Sequence, residues 1–123
     1  MEKQGWVSIW LGNSSNEEAI SEYVDLTYNE DGEAVPSRFY IDFNIDMAEI
    51  DEDTIEKAVY INSCSDISQL LEGCSYEEII IPSIQGINLK KSYNAVILIY
   101  NFEYNNEMSS NGAFDFIAAT NYE

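Results

Sequence analysis

Seven carboxylates fall within fifteen residues of this 123-residue chain: Asp42, Asp46, Glu49, Asp51, Glu52, Asp53 and Glu56. No basic residue interrupts them. Such a run could bind calcium, supply a carboxylate pair for acid–base work, or present a negative field to a partner. An EF-hand loop centred on Gly32 puts Thr27 at its first ligand position and Arg38 at its last. A cation cannot replace the bidentate carboxylate needed there. A loop beginning at Asp51 fails as well, because Ile55 takes the third ligand position. A glycosidase needs two carboxylates, but acids are so common here that any pair is uninformative.

Other chemistry lacks its usual parts. The chain has no His, the residue most often recruited for general acid–base work and a common zinc ligand. Cys64 and Cys74 match neither a CxxC nor a zinc spacing, and no His is present to activate them. Gly12, Gly32, Gly73 and Gly86 stand apart, so no glycine-rich phosphate loop forms. The expected protein is not an enzyme and uses no cofactor and no metal.

Charge is the strongest signal. Twenty-three acids against 5 bases give a formal net charge of −18. Nucleic acid and anionic membrane would be repelled, whereas a basic protein partner would be drawn in. Solubility or adaptation to salt is the competing reading. The acidic stretch is read in two ways. It is a solvated face with helix caps, Asp53 and Asp51 among them, or it is a partner-binding face. In the second reading the binding set is Tyr40, Asp42, Asp46, Glu49, Asp51 and Glu52. Tyr supplies contact area and Asp supplies complementarity.

These residues need elements to hold them. A hydrophobic fraction of 46% with 16 aromatics is too apolar for an acidic disordered tail, and the length suits one domain over residues 1–123. Trp6-Val7-Ser8-Ile9-Trp10-Leu11 reads as a strand covered on both faces. Ser15 and Glu18 form a capping box ahead of Ile20, Tyr23, Val24 and Thr27 at helical spacing. Residues 29–33 read as a turn. Residues 38–46 alternate, with Phe39, Ile41, Phe43 and Ile45 inward. Tyr40, Asp42, Asn44 and Asp46 then face water. Asp53 would cap a second helix bearing Ile55, Ala58 and Val59. Ser65 or Asp66 would cap a third, stopped by Gly73. Residues 77–81 read as a strand ended by Pro82, and residues 83–93 as an irregular loop. Residues 95–104 read as a buried strand emerging at its end, and residues 114–120 as the last strand, after a turn-rich loop at 105–112. The order is β-α-β-α-α-β-β-β. It predicts an α+β fold: a mainly antiparallel sheet of about five strands with helices packed on it.

The third helix separates the two cysteines. Ten positions at helical rise hold their Cα atoms roughly 15 Å apart, beyond the roughly 7 Å a disulfide tolerates, so both are expected as free thiols. No stretch approaches a membrane span, and Met1-Glu2-Lys3-Gln4 does not open a signal peptide. The expected location is the cytoplasm.

Trp6-Val7-Ser8-Ile9-Trp10-Leu11-Gly12-Asn13 resembles the opening of the immunity protein 22 family of bacterial polymorphic toxin systems. The similarity continues through a helix closing on Tyr28, Phe39-Tyr40-Ile41-Asp42-Phe43, the acidic segment and Leu71-Glu72-Gly73-Cys74-Ser75-Tyr76. It ends with Leu98-Ile99-Tyr100-Asn101-Phe102-Glu103-Tyr104, so it spans residue 6 to about residue 104. The resemblance implies an α+β immunity protein that binds and neutralises a cognate toxin made by the same cell. It implies no catalytic residues and does not identify the toxin. Many such toxins act on nucleic acids through basic clefts, so a basic nuclease-type toxin suits the acidic surface. The alternative is a nucleic-acid mimic that inhibits a defence or nucleic-acid-processing enzyme.

Like-charge repulsion at −18 should make salt stabilising, because its range is about 8 Å at physiological ionic strength. The melting temperature is expected to rise from low to moderate sodium chloride. A flat response would show that the acids are dispersed or internally compensated.

Overall fold

The computed structural model describes residues 2–25, 27–28, 30–35, 37–45, 50, 52–104, 110–111 and 114–123. In chain order the first elements are β1 (Glu2–Gly12), α1 (Glu17–Val24), β2 (Thr27–Tyr28), β3 (Ala34–Val35) and α2 (Arg38–Asp42). A 3-10 turn (Glu52–Thr54), β4 (Ile55–Cys64), α3 (Ile67–Leu71) and α4 (Glu77–Ile84) follow. The chain closes with β5 (Tyr93–Phe102), β6 (Ser110–Asn111) and β7 (Phe114–Asn121).

Val7, Ser8, Ile9, Trp10 and Leu11 are all fully buried. A strand can bury both faces only if something covers each one. β1 therefore sits inside the sheet, antiparallel to β5 on one side and β7 on the other. β4 pairs with the outer side of β5, and the two-residue β6 with β7, giving the order β4-β5-β1-β7-β6. The fold is α+β with an antiparallel sheet and helices on it, as expected. β2 and β3 form a separate small hairpin across the expected turn.

Alternation along β1 and β5 sorts the core into two halves. Trp10, Ala95, Ile97 and Ile99 pack with Ile20 and Val24 of α1 and Phe39, Tyr40 and Phe43 at α2. Val7, Ile9, Leu11, Val96, Leu98 and Tyr100 pack with Ile67, Leu70 and Leu71 of α3 and Ile80 and Ile84 of α4. Trp10 anchors the first half, with Phe39, Tyr104 and Phe116 rings at 5.0, 5.3 and 5.3 Å. Ser8 lies on the same face as Trp10. Its hydroxyl donates to the Phe102 carbonyl (2.8 Å) and accepts from the Tyr104 N–H (2.8 Å), fixing the chain where it leaves β5.

Three expected elements change type. The alternating strand at 38–46 is instead α2 followed by a turn. Phe39 and Phe43 are four apart, a spacing that satisfies both a two-residue and a helical period. Their neighbours decide the matter: Ile41 is 58% exposed, whereas Tyr40 is 1% and Asp42 6% exposed. The expected helix from Asp53 is the 3-10 turn and then β4. Ile55, Val59, Tyr60 and Ile61 are strand formers, and the outer edge of β5 needs a hydrogen-bonding partner. Ile55 pairs with Ile99 and Val59 with Ala95. Asp53 thus has no α-helix to cap. The expected strand at 77–81 is α4. Ile80 and Ile84, four apart, bury against the sheet, and Glu77 and Glu78 sit in the first turn, where the dipole favours them. Pro82 lies inside this helix and contributes no N–H, so it did not mark an element's end.

The other elements stand where expected, with shifted details. Asn16, not Ser15, caps α1, its Oδ1 accepting from the Ala19 N–H at 2.8 Å. Asp66 caps α3 through the Ser68 N–H, and Gly73 follows with φ 90, a conformation that suits glycine. Cys64 and Cys74 are free. Of the expected loop at 105–112, residues 105–109 and 112 lie outside the described residues.

The period assignment can be tested directly. Phe43→Ala should cost about 3–5 kcal/mol by opening a cavity beside Trp10. Ile41→Ser should change stability by less than about 0.5 kcal/mol, as at other exposed positions. Denaturant titration separates the two readings, because a strand would make Ile41 as costly as Phe43.

Candidate partner-binding surface

Two residues of the expected binding set, Tyr40 and Asp42, are buried. Tyr40 is in the core, its hydroxyl donating to the Val24 carbonyl at 2.6 Å. Asp42 is buried between α1 and α2. It accepts from the Tyr23 hydroxyl (2.8 Å) and pairs with Arg38 one turn earlier (3.0 Å). Both residues hold two helices together and are removed from any surface. Asp46, Glu49 and Asp51 lie outside the described residues. Glu52 opens the 3-10 turn.

The structure gathers other carboxylates instead. Glu18 and Glu22 lie four apart on one side of α1, and Asp25 caps its C-terminal end. α1 packs beside β4. Between them lies a cleft of about 390 Å³ lined by Glu18, Glu22, Asp25 and Asp53, with Lys57 as its one base. Val24 and Ile55 supply apolar lining. An adjoining hollow of about 360 Å³ shares Ile55 and Lys57 and adds Glu17 and Glu56. β4 is the edge strand of the sheet, and its Ile61 is 99% exposed. The resulting surface is acidic around the start of β4 and carries one exposed isoleucine further along it. Among the described residues, no three His, Cys, Asp or Glu side chains group to hold a metal ion. Burial, with Glu56 and Glu77 nearby, pushes the Cys74 thiol up to about 11, so it stays protonated and a poor nucleophile at neutral pH.

The model of the family described as Immunity protein 22 matches residues 7–123. The chain belongs to this family. Membership makes it an immunity protein, whose general role is neutralising a toxin. No curated protein and no solved structure gives a significant match. No helix among the described residues is long and apolar enough to cross a membrane.

The immunity protein's cleft was partly readable in its sequence. Glu18, Glu22 and Asp25 carry the helical spacing of a shared face, but Glu18, in the first turn, reads equally well as a partner of the helix dipole. Nothing local shows that β4 will lie beside them. That depends on a long-range pairing between residues 55–59 and 95–99.

The crowding of acids also acts on tyrosines. Burial first, and then the hydrogen bond to Asp42, raises the Tyr23 phenol well above its ordinary pKa. Tyr93 is raised for the same reasons, with Asp115 as its acceptor at 2.5 Å. In the unfolded chain these phenols ionise near pH 10. Below that pH both states are protonated and the stabilisation is complete. Above it the unfolded state loses protons that the folded state keeps, so stability falls. Urea midpoints should therefore drop as pH rises past 10, with phenolate absorbance appearing only on unfolding. Tyr23→Phe should flatten that slope, and an unchanged slope would show that folding does not raise the Tyr23 phenol.

Proposed function

We propose that this immunity protein neutralises a basic, nuclease-type toxin by docking the acidic cleft between α1 and the start of β4 onto the toxin's cationic surface. The observation that carries this reading is the charge of one cleft: four carboxylates against one lysine. Enzymes that act on nucleic acids hold phosphates with basic clefts, and a negative surface is complementary to these. The fold has no need of such crowding. Like charges on one face destabilise the folded state, and Glu18 and Glu22, one helical turn apart, repel each other. In the sequence, Asp46, Glu49, Asp51 and Glu52 precede Asp53 with no basic residue among them. The protein acts by occupying its partner, in the cytoplasm of the cell that makes the toxin, and performs no catalysis.

Glu22→Lys with Asp53→Lys tests the reading in binding kinetics with the cognate toxin. Association should slow about ten- to hundredfold at low ionic strength, with a flatter salt dependence. The melting temperature should hold or rise, since repulsion is relieved. An unchanged association rate would remove the cleft from the interface.

A further inference from the structure

Tyr76, Tyr100 and Tyr122 converge from three separate parts of the chain. Their ring centroids lie 4.8 Å (Tyr76 to Tyr122), 5.2 Å (Tyr100 to Tyr122) and 6.1 Å (Tyr76 to Tyr100) apart. The three rings line a cavity of about 340 Å³ together with Asp53, Glu56 and Asn101. None of the chain's five basic residues lines it. Glu56 accepts from the Tyr100 hydroxyl (2.7 Å), the Ser75 N–H (3.0 Å) and the Ser75 hydroxyl (3.2 Å). These donors are all neutral, so they orient the carboxylate and leave its charge uncancelled. Asn101 Oδ1 accepts from the Tyr122 hydroxyl at 2.6 Å and from the Gly5 N–H at 3.1 Å, which fixes the opposite wall.

The backbone around this cavity is unusual. Three described residues other than glycine have positive φ, and two of them line it: Tyr76 at 60° and Asn101 at 59°. Asparagine tolerates the left-handed region, but a bulky aromatic does so only at a cost. A residue without that penalty could start α4 equally well. The conformation places a half-exposed ring against Tyr122, and a core has no use for a ring that is half in water.

We propose that this cavity is a receptor for an arginine side chain of the protein partner. Aromatic faces are negative at their centres and attract cations. A guanidinium group is planar and weakly hydrated, so it can stack on a tyrosine while its N–H fork meets a carboxylate. Here both are present, with two carboxylates at the rim of a ring cluster. The inference rests on the toxin-binding reading for its partner. Asp53 lines this cavity as well as the acidic cleft, so a protein seated on the cleft reaches it without a break.

The test begins without the toxin. The isolated immunity protein is titrated with N-acetyl-arginine methylamide, the matching lysine analogue and the neutral citrulline analogue, with tyrosine ring resonances followed by NMR. Saturable shifts of the Tyr76 and Tyr122 rings are expected with the arginine analogue. Tyr76→Asn, which suits the left-handed backbone, should weaken that binding about tenfold at an unchanged fold. Asp53→Asn should weaken it severalfold. Absence of saturation, citrulline binding as tightly as arginine, or lysine binding equally well would each overturn the assignment. In the complex, Tyr76→Asn should speed dissociation by about the same factor. An unchanged dissociation rate would overturn the pocket and leave the cleft standing. Failure of the wild-type protein to bind the toxin would sink the toxin reading instead, and the analogue titration would still decide the pocket.

Discussion

Burial of β1 and β5 on both faces is the constraint from which the rest of the structure follows. Residues 7–11 and 95–99 expose almost nothing to water. A strand pair of this kind needs helices above and below, and it needs hydrogen-bonding partners along both outer edges. α1 and α2 meet the first need on the Trp10 face, and α3 and α4 on the other. β4 and β7 meet the second. Charge is thereby excluded from the sheet's centre and confined to helix surfaces, edges and loops. Among the described residues Lys3 pairs with Glu103, Arg38 with Asp42 and Lys91 with Asp115. So few cations cannot offset 23 acids, and the apolar core must hold the fold against their repulsion.

The parts of this fold that were legible in sequence are those whose pattern admits one period. Trp6 to Leu11 is apolar but for Ser8, residues 95–100 are apolar throughout, and only a doubly covered strand or a buried helix explains such runs. Their short length and β-branched content favour the strand. The Asp66 cap, the Leu70–Leu71 pair and Gly73 similarly delimit α3. Misreading arose where a pattern was degenerate. Phe39 and Phe43 satisfy both periods, and the long-range contact with Trp10 selects the helix. Ile79-Ile80-Ile81 has strand composition, and only the position of the sheet beneath Ile80 and Ile84 selects a helix.

The same degeneracy misplaced two residues of the expected site, Tyr40 and Asp42. Reading residues 38–46 as a strand put Tyr40 and Asp42 in water, and reading residues 53–59 as a helix made Asp53 a cap. Reversing both readings buries the first two residues and brings Asp53 and Glu56 to an edge beside α1. The acidic character of the surface was visible in composition, but its location was not. It depends on β4 crossing to β5, some forty residues away. The tyrosine cluster has even less local signature, because Tyr76, Tyr100 and Tyr122 meet only after α4, β5 and the C-terminal segment have packed.

Two features of this molecule work against its own stability, and they meet in one place. Carboxylates crowd the cleft where α1 passes the start of β4. Tyr76 adopts a left-handed backbone a few residues beyond Cys74, beside the same strand's Glu56. Strain and like-charge crowding each persist only where the surrounding structure over-determines them, and both are commonest at working sites. Dispersed acids would serve solubility as well and would cost less. A glycine at position 76 would serve the turn into α4 without the steric penalty. Solubility therefore explains the number of acids but not their placement, and turn geometry explains the left-handed residue but not its identity. The proposed binding surface for a cationic protein would account for both, because it needs negative charge to be concentrated and an aromatic face to be held partly in water.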